Sequence, residues 1–243
     1  MPEMTIEVKT PRGTMPVHVN RPDADKAAPV VMLYMDAPGI RAALHGHAER
    51  LAAAGYTAVL PDLYYWMDPA DRPSAERLAA GDSAESAKMR AAVARVRDDD
   101  VLEDTRLLLA MLPDRPTGTW GCIGFCMGGR LGLRAAEAFG SELSAASLLH
   151  PTGLVTDKPE SPHLAVDQVK GGLYLGFGEE DQVTPVASIP PLREQLERHA
   201  IPHRIDVLAG AEHGYTMPDR PAYQREAAER AWAQTLELFG ERL

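Results

Sequence analysis

The residue with the most chemical promise in this chain is a cysteine flanked by glycines, in Gly124-Phe125-Cys126-Met127-Gly128-Gly129. The apolar stretch Thr119 to Phe125 precedes the thiol and reads as a strand, and the Ala/Leu-rich stretch Met127 to Phe139 follows it and reads as a helix. Strand, sharp turn, helix is the setting of a nucleophile elbow, here with Cys where the G-x-S-x-G pattern has Ser. Such a turn holds the nucleophile at strained dihedrals, and side chains two residues to either side would collide with neighbouring backbone, so Gly124 and Gly128 relieve the crowding. Gly129 is expected to let the helix sit close to the sheet. The positive end of the helix dipole favours a thiolate at its first turn. A phosphate cradle would carry G-x-G-x-x-G or a Lys-Ser/Thr end instead, and neither is present. An inert buried thiol in a tight turn is the bland alternative.

A thiol that performs acyl transfer needs a base, and the base needs an acid to orient it, in the chain order nucleophile, acid, histidine. After the apolar run Gly172 to Phe177 comes Gly178-Glu179-Glu180-Asp181-Gln182-Val183-Thr184-Pro185, which puts an acid at the end of a buried strand. Glu179, Glu180 and Asp181 all remain candidates on this reading, with Asp181 favoured because the loop returns to ordered structure at Val183 and Pro185. His213, in Gly210-Ala211-Glu212-His213-Gly214-Tyr215, lies just past the last strand, where the base belongs. His150 ends a strand in Leu149-His150-Pro151 and is a candidate for the pocket wall, with Tyr64, Tyr65 and Tyr215 as aromatic lining. His45 and His47, two apart on a helix, cannot share a face, so no metal site is read there.

These side chains must be positioned by a framework that is also legible. Thr5 to Asn20 reads as a hairpin turning at Pro11-Arg12-Gly13, expected at the sheet edge. A linker from Pro22 to Pro29 leads to Val30 to Met35, a continuous apolar run of the kind found in a parallel strand buried on both faces. Leu44, Ala48, Leu51 and Ala52 recur at helical spacing before Gly55, which is placed to end that helix in the left-handed region, and Thr57 to Leu60 is the next strand. Pro69 to Arg97 reads as an exposed helical excursion. Asp98 to Leu112 is a helix opened by three aspartates that suit its N-terminus. Further strands are expected at Ala145 to Leu149 and Arg204 to Leu208, and further helices at Ser188 to His199 and Pro221 to Phe239. Strand and helix alternate, so the class is α/β: a mostly parallel central sheet with helices on both faces.

At 243 residues the chain is expected to form a single domain, 1–243. A net charge of −10 without a Lys/Arg cluster argues against nucleic acid and anionic lipid as partners. No run approaches the roughly 18 to 20 apolar residues of a membrane span. The N-terminus has no signal-peptide pattern, and the two cysteines, Cys122 and Cys126, form no disulfide framework. A cytoplasmic location is the expectation.

With three strand ends in agreement, the chain resembles the dienelactone hydrolase family of α/β-hydrolases from about Thr5 to Phe239. The residues that carry the likeness are Gly124 to Gly129, Pro61-Asp62-Leu63-Tyr64, Glu180-Asp181-Gln182-Val183-Thr184-Pro185 and His213-Gly214-Tyr215. The resemblance implies a triad of Cys126, Asp181 and His213. It also implies an acid beside the thiol, usually Glu and here Asp36, which either helps deprotonate the sulfur or braces its own loop. The backbone N–H groups of Ala37 and Met127 would form the oxyanion hole. Family members acting on dienelactone carry an arginine four residues after the histidine, where this chain has Met217; Arg41, Arg72, Arg77 and Arg90 are the cations that could replace it. The implied activity is hydrolysis of a small ester or lactone through a thioester, with no cofactor and no metal, by a monomer or small homo-oligomer. The rival readings are a thiol sensor using Cys122 and Cys126, and a ligand-binding module that has lost catalysis.

Overall fold

The computed structural model describes residues 3–22, 28–112 and 119–243. Most of the linker read between Pro22 and Pro29 lies outside the described residues. Two compact units are present, the first ending at Thr117 and the second beginning at Gly118.

In the first unit, β1 (Glu3–Thr10) and β2 (Gly13–Asn20) form the expected hairpin, in register from Glu3 opposite Asn20 to Thr10 opposite Gly13. On β2 the residues Met15, Val17 and Val19 are buried and alternate with more exposed ones, the period-two pattern of a strand with one covered face. Strand β3 (Val30–Tyr34) is buried at every position and runs parallel to β4 (Thr57–Pro61), which pairs antiparallel with β2. Helix α1 (Ala42–Ala53) connects β3 to β4, and Gly55 past its end has φ +96°, the conformation its position demanded. The excursion after β4 holds a single 3-10 turn at Pro69–Asp71, a short α2 (Ala75–Ala79) and α3 (Ser83–Arg95).

Helix α4 (Asp98–Met111) starts on its three aspartates and buries Val101, Leu102, Thr105, Leu108 and Leu109. It also buries Asp104, which apolar periodicity does not reveal. The reason lies in the hairpin turn: Arg12 donates to Asp104 at 2.6 Å and to Glu103 at 2.9 Å, and the Tyr65 hydroxyl donates to Asp104 at 2.8 Å. A buried carboxylate is tolerable only with such partners.

In the second unit, β5 (Trp120–Phe125), β6 (Leu143–Leu149), β7 (Gly172–Gly178) and β8 (His203–Leu208) pair in that order, all parallel. Helix α5 (Met127–Phe139) follows β5, α6 (Ile189–Arg198) lies between β7 and β8, and α7 (Arg225–Arg242) closes the chain. Neighbouring residues of β5 show that both faces are covered. The Cys122 sulfur faces the Gly132 carbonyl of α5 at 3.9 Å, whereas a Cβ on Gly121 would meet Leu243, at the end of α7, at 2.7 Å. Successive side chains of a strand point to opposite faces, so α5 and α7 flank the sheet from opposite sides. Helix α7 begins four residues later than Pro221 suggested, because residues 221–224 are held in turns; the Gln224 amide donates to the Tyr215 carbonyl at 3.1 Å. Among the described residues, no helix is long and apolar enough to cross a membrane.

Candidate active site

The turn between β5 and α5 has the strain that its sequence foretold. Cys126 sits at φ 55°, ψ −116°, a region that costs a non-glycine residue about 1–3 kcal/mol. Its backbone is clamped there: the amide donates to the Leu149 carbonyl at 3.1 Å, and its own carbonyl accepts from the amides of Gly129 at 3.0 Å and Thr152 at 3.1 Å. A Cβ on Gly124 would fall 2.0 Å from the Gly128 carbonyl oxygen, so no larger residue fits. For Gly129 the close neighbour is not the sheet itself but Pro151, in the loop after β6, whose Cβ would lie 2.5 Å away. Glycine there lets α5 pack against that loop.

The loops after β7 and β8 are drawn together by another close approach. A Cβ on Gly178 would stand 2.3 Å from the Ala211 carbonyl, and the Glu180 amide donates to that same oxygen at 2.9 Å. This contact presents His213 to one acid only. His213 Nδ1 lies 2.7 Å from Asp181 Oδ2, while Asp181 Oδ1 accepts from the amides of Val183 and Thr184, each at 2.8 Å. Glu179 instead accepts from the Gly210 amide at 2.8 Å and so steadies the histidine loop, and Glu180 is exposed. Among the three acids left open by the sequence, Asp181 is the one paired with the imidazole.

Burial works against the Asp181 carboxylate, but the His213 hydrogen bond and charge, with the two amides, outweigh it and hold its pKa below the ordinary value. Burial likewise disfavours the His213 imidazolium. It is overcome by hydrogen bonding and charge from both Asp181 and Cys126, and the pKa is pushed up to about 10. The carboxylate and the sulfur thus both act on the one ring. With Nδ1 committed to Asp181, Nε2 is the nitrogen left for the thiol; it is buried and makes no well-formed hydrogen bond.

His150 and Tyr215 pack behind this pair. The His150 ring meets the His213 ring edge-on at 5.2 Å and the Tyr215 ring at 5.4 Å, and its Nε2 lies 2.7 Å from Thr216 Oγ1. Both residues are buried, so they wall the imidazole rather than face open space. His150 has φ 38°, a second strained position at a strand end that the sequence did not signal. Thr216, which fixes its ring, also went unmarked by any motif.

Most of the remaining candidates lie in the first unit. Asp36 receives a bidentate ion pair from Arg41, at 2.5 and 2.9 Å, and Arg41 also donates to the Gly39 carbonyl at 3.0 Å. The Asp36 loop is thus braced by a residue that the sequence offered only as a substrate cation. Arg72 is held by Asp62 and Arg77 by Asp82, while Arg90 is exposed. The Tyr64 hydroxyl donates to the Ala37 carbonyl at 2.8 Å, and Tyr65 is tied to Thr10 and Asp104, which makes it a brace of the hairpin. Ala37 is buried, and Met127, also buried, is the first residue of α5, whose N–H has no acceptor within the helix. Met217 is buried as well. Cys122 is buried, and desolvation pushes its thiol well up, which leaves it unsuited to fast exchange with Cys126. Among the described residues, no group of three or more His, Cys, Asp or Glu side chains could hold a metal ion.

Comparison with known proteins gives this geometry a family. Residues 15–243 match the model of the Dienelactone hydrolase family. The chain belongs to the dienelactone hydrolase family. A Synechocystis sp. relative is 29% identical over 248 residues, covering 97% of this chain and 98% of its own. The carboxymethylenebutenolidase of Rhodococcus opacus is 28% identical over 246 residues, covering 97% of this chain and 90% of its own. Among solved structures, a Klebsiella pneumoniae subsp. pneumoniae protein superposes with a TM-score of 0.83 at 23% identity, covering 99% of each chain. That likeness establishes the fold, which is the α/β-hydrolase fold of the dienelactone hydrolase family, with its mostly parallel sheet.

Proposed function

We propose that this protein hydrolyses a small ester or lactone with Cys126 as nucleophile, His213 as general acid and base, and Asp181 as the group that fixes the imidazole. What supports the reading is the 2.7 Å pairing of His213 Nδ1 with Asp181 Oδ2, on a ring whose charge Cys126 also favours. Family membership supports the reaction class, and the relative named above has a lactone-hydrolase name.

The sulfur attacks the carbonyl as thiolate, forming a C–S bond while the carbonyl electrons move to oxygen. The backbone N–H group of Met127 receives that oxyanion, a donor worth on the order of 3 kcal/mol of barrier. Collapse expels the alkoxide, which takes its proton from His213, and leaves a thioester. Acylation removes the sulfur's charge from the groups that favour the imidazolium. Neutral imidazole is thereby restored to deprotonate the attacking water, and Asp181 keeps it in the required tautomer. Water adds to the thioester carbonyl, the thiolate departs, and the acid is released. Asp36, paired with Arg41, braces its own loop.

The test is hydrolysis of p-nitrophenyl acetate by the wild type and by Cys126→Ala, with circular dichroism to show that both are folded. Activity is expected to fall by at least 10³-fold in the variant. A folded variant with wild-type turnover would refute the assignment.

A further inference from the structure

Beside the triad lies a cavity of about 210 Å³ that the catalytic groups do not line. Its walls come from two loops, each fastened to a triad residue. One is the segment Gly153 to Val155, immediately beyond Thr152, whose amide holds the Cys126 carbonyl at 3.1 Å. The other is Val183 to Pro185, of which the first two residues donate their amides to the Asp181 carboxylate. Phe177 of β7, Ser188 just before α6, and Leu192 of α6 complete it. Among the described residues, no charged side chain lines the cavity. Thr184 and Ser188 add hydroxyls: that of Thr184 is buried without a hydrogen-bond partner, and that of Ser188 donates to the Pro185 carbonyl at 2.7 Å. Val183, which lines the cavity, is 62% exposed.

We infer that this cavity is the subsite for an uncharged acyl or alkyl chain of the ester, a reading that rests on the hydrolase function proposed above and narrows its substrate class. At about 30 Å³ for each small group, the space holds roughly half a dozen heavy atoms, a chain and not a polycyclic body. A carboxylate or ammonium group entering it would lose its hydration with no opposite charge to receive it. An apolar chain gains from burial, up to about fourfold in affinity for each methylene. The hydroxyl of Thr184 provides a donor for a single ester or amide oxygen at the wall.

The experiment measures kcat/KM for p-nitrophenyl hexanoate relative to p-nitrophenyl acetate. In the wild type the ratio should exceed tenfold in favour of hexanoate. Val155→Trp, which projects bulk from the half-buried lip of the cavity, should cut that ratio at least tenfold, and Val155→Ala should move the preference toward octanoate. A ratio that is near one in the wild type, or unchanged by both variants, overturns the subsite. Binding of hexanamide to Cys126→Ala protein, followed by saturation-transfer NMR, judges the cavity without relying on turnover. Hexanamide should bind, and adding Val155→Trp should abolish the signal. Persistence of hexanamide binding in the double variant would also overturn the proposal. If Cys126→Ala still hydrolyses esters, the nucleophile assignment fails alone, and the hexanamide result continues to decide the cavity.

Discussion

His213 is where residue-level physics can be read most directly, because two neighbours with different roles act on one ring. Asp181 is a partner at 2.7 Å, whereas the Cys126 sulfur, on the proposed mechanism, is a partner only until it is acylated. Removing the sulfur should therefore imitate the acyl-enzyme's electrostatics. In Cys126→Ala the His213 pKa, followed by NMR of the ring protons, should drop from its raised value yet remain above about 6.5, since Asp181 still favours the charged form. A value unchanged from the wild type would mean that Asp181 alone sets the ring's charge. The mechanism would then lose the step in which thioester formation frees the base. The same logic explains why the acid could not be singled out among Glu179, Glu180 and Asp181 by residue type. All three are carboxylates on one loop, and only backbone geometry decides which side chain turns inward to the two amides and the imidazole.

Elements, more than residues, are what the amino-acid pattern encodes well here. Strand β5, the elbow glycines and α5 were all legible, because an apolar run, a G-x-C-x-G-G turn and an amphipathic run each have one cheap conformation. The strand ends bearing Cys126, Asp181 and His213 could be placed for the same reason. What stayed hidden depends on contacts between distant segments. Asp104 reads as one more polar helix residue until Arg12 and Tyr65 are seen to reach it, and Arg41 reads as a free cation until Asp36 takes it. The 3-10 turns at Pro162–Leu164 and Val166–Gln168 lack any period to detect. At the elbow itself a sharp test exists. Gly124→Ala would force a methyl group to within 2.0 Å of the Gly128 carbonyl oxygen, inside the first turn of α5. Chemical denaturation should show a loss of about 3 kcal/mol or more, with esterase activity lost in parallel. Gly240→Ala, on α7, whose added Cβ meets nothing within 4 Å, should leave stability at or slightly above the wild type. Equal effects from the two substitutions would show that crowding at the elbow is not what selects glycine there.

For the whole molecule, two opposed pKa shifts at one site and an acidic surface together set how stability should vary with pH. The Asp181 pKa is depressed in the folded state, so its contribution is present above the unfolded carboxylate value of about 3.9 and disappears as the pH falls through the lowered folded value. The His213 pKa is raised to about 10, so its contribution is complete below the unfolded value of about 6.5 and fades as the pH rises through about 10. The pair therefore stabilises the fold most between about pH 4 and 6.5. Rising pH also adds negative charge to a chain already at −10, which brings self-repulsion acting in the same direction. A substitution separates the two contributions, because His213→Gln removes the titrating ring but leaves the rest of the surface charge in place. In urea melts, the stability gap between wild type and His213→Gln should be widest near pH 5 to 6.5 and shrink steadily toward pH 10, while both proteins lose stability together from the shared charge. A gap that holds constant from pH 6 to pH 10 would mean that the imidazolium is not held by Asp181 and Cys126 in the folded protein, and that general repulsion accounts for the alkaline decline.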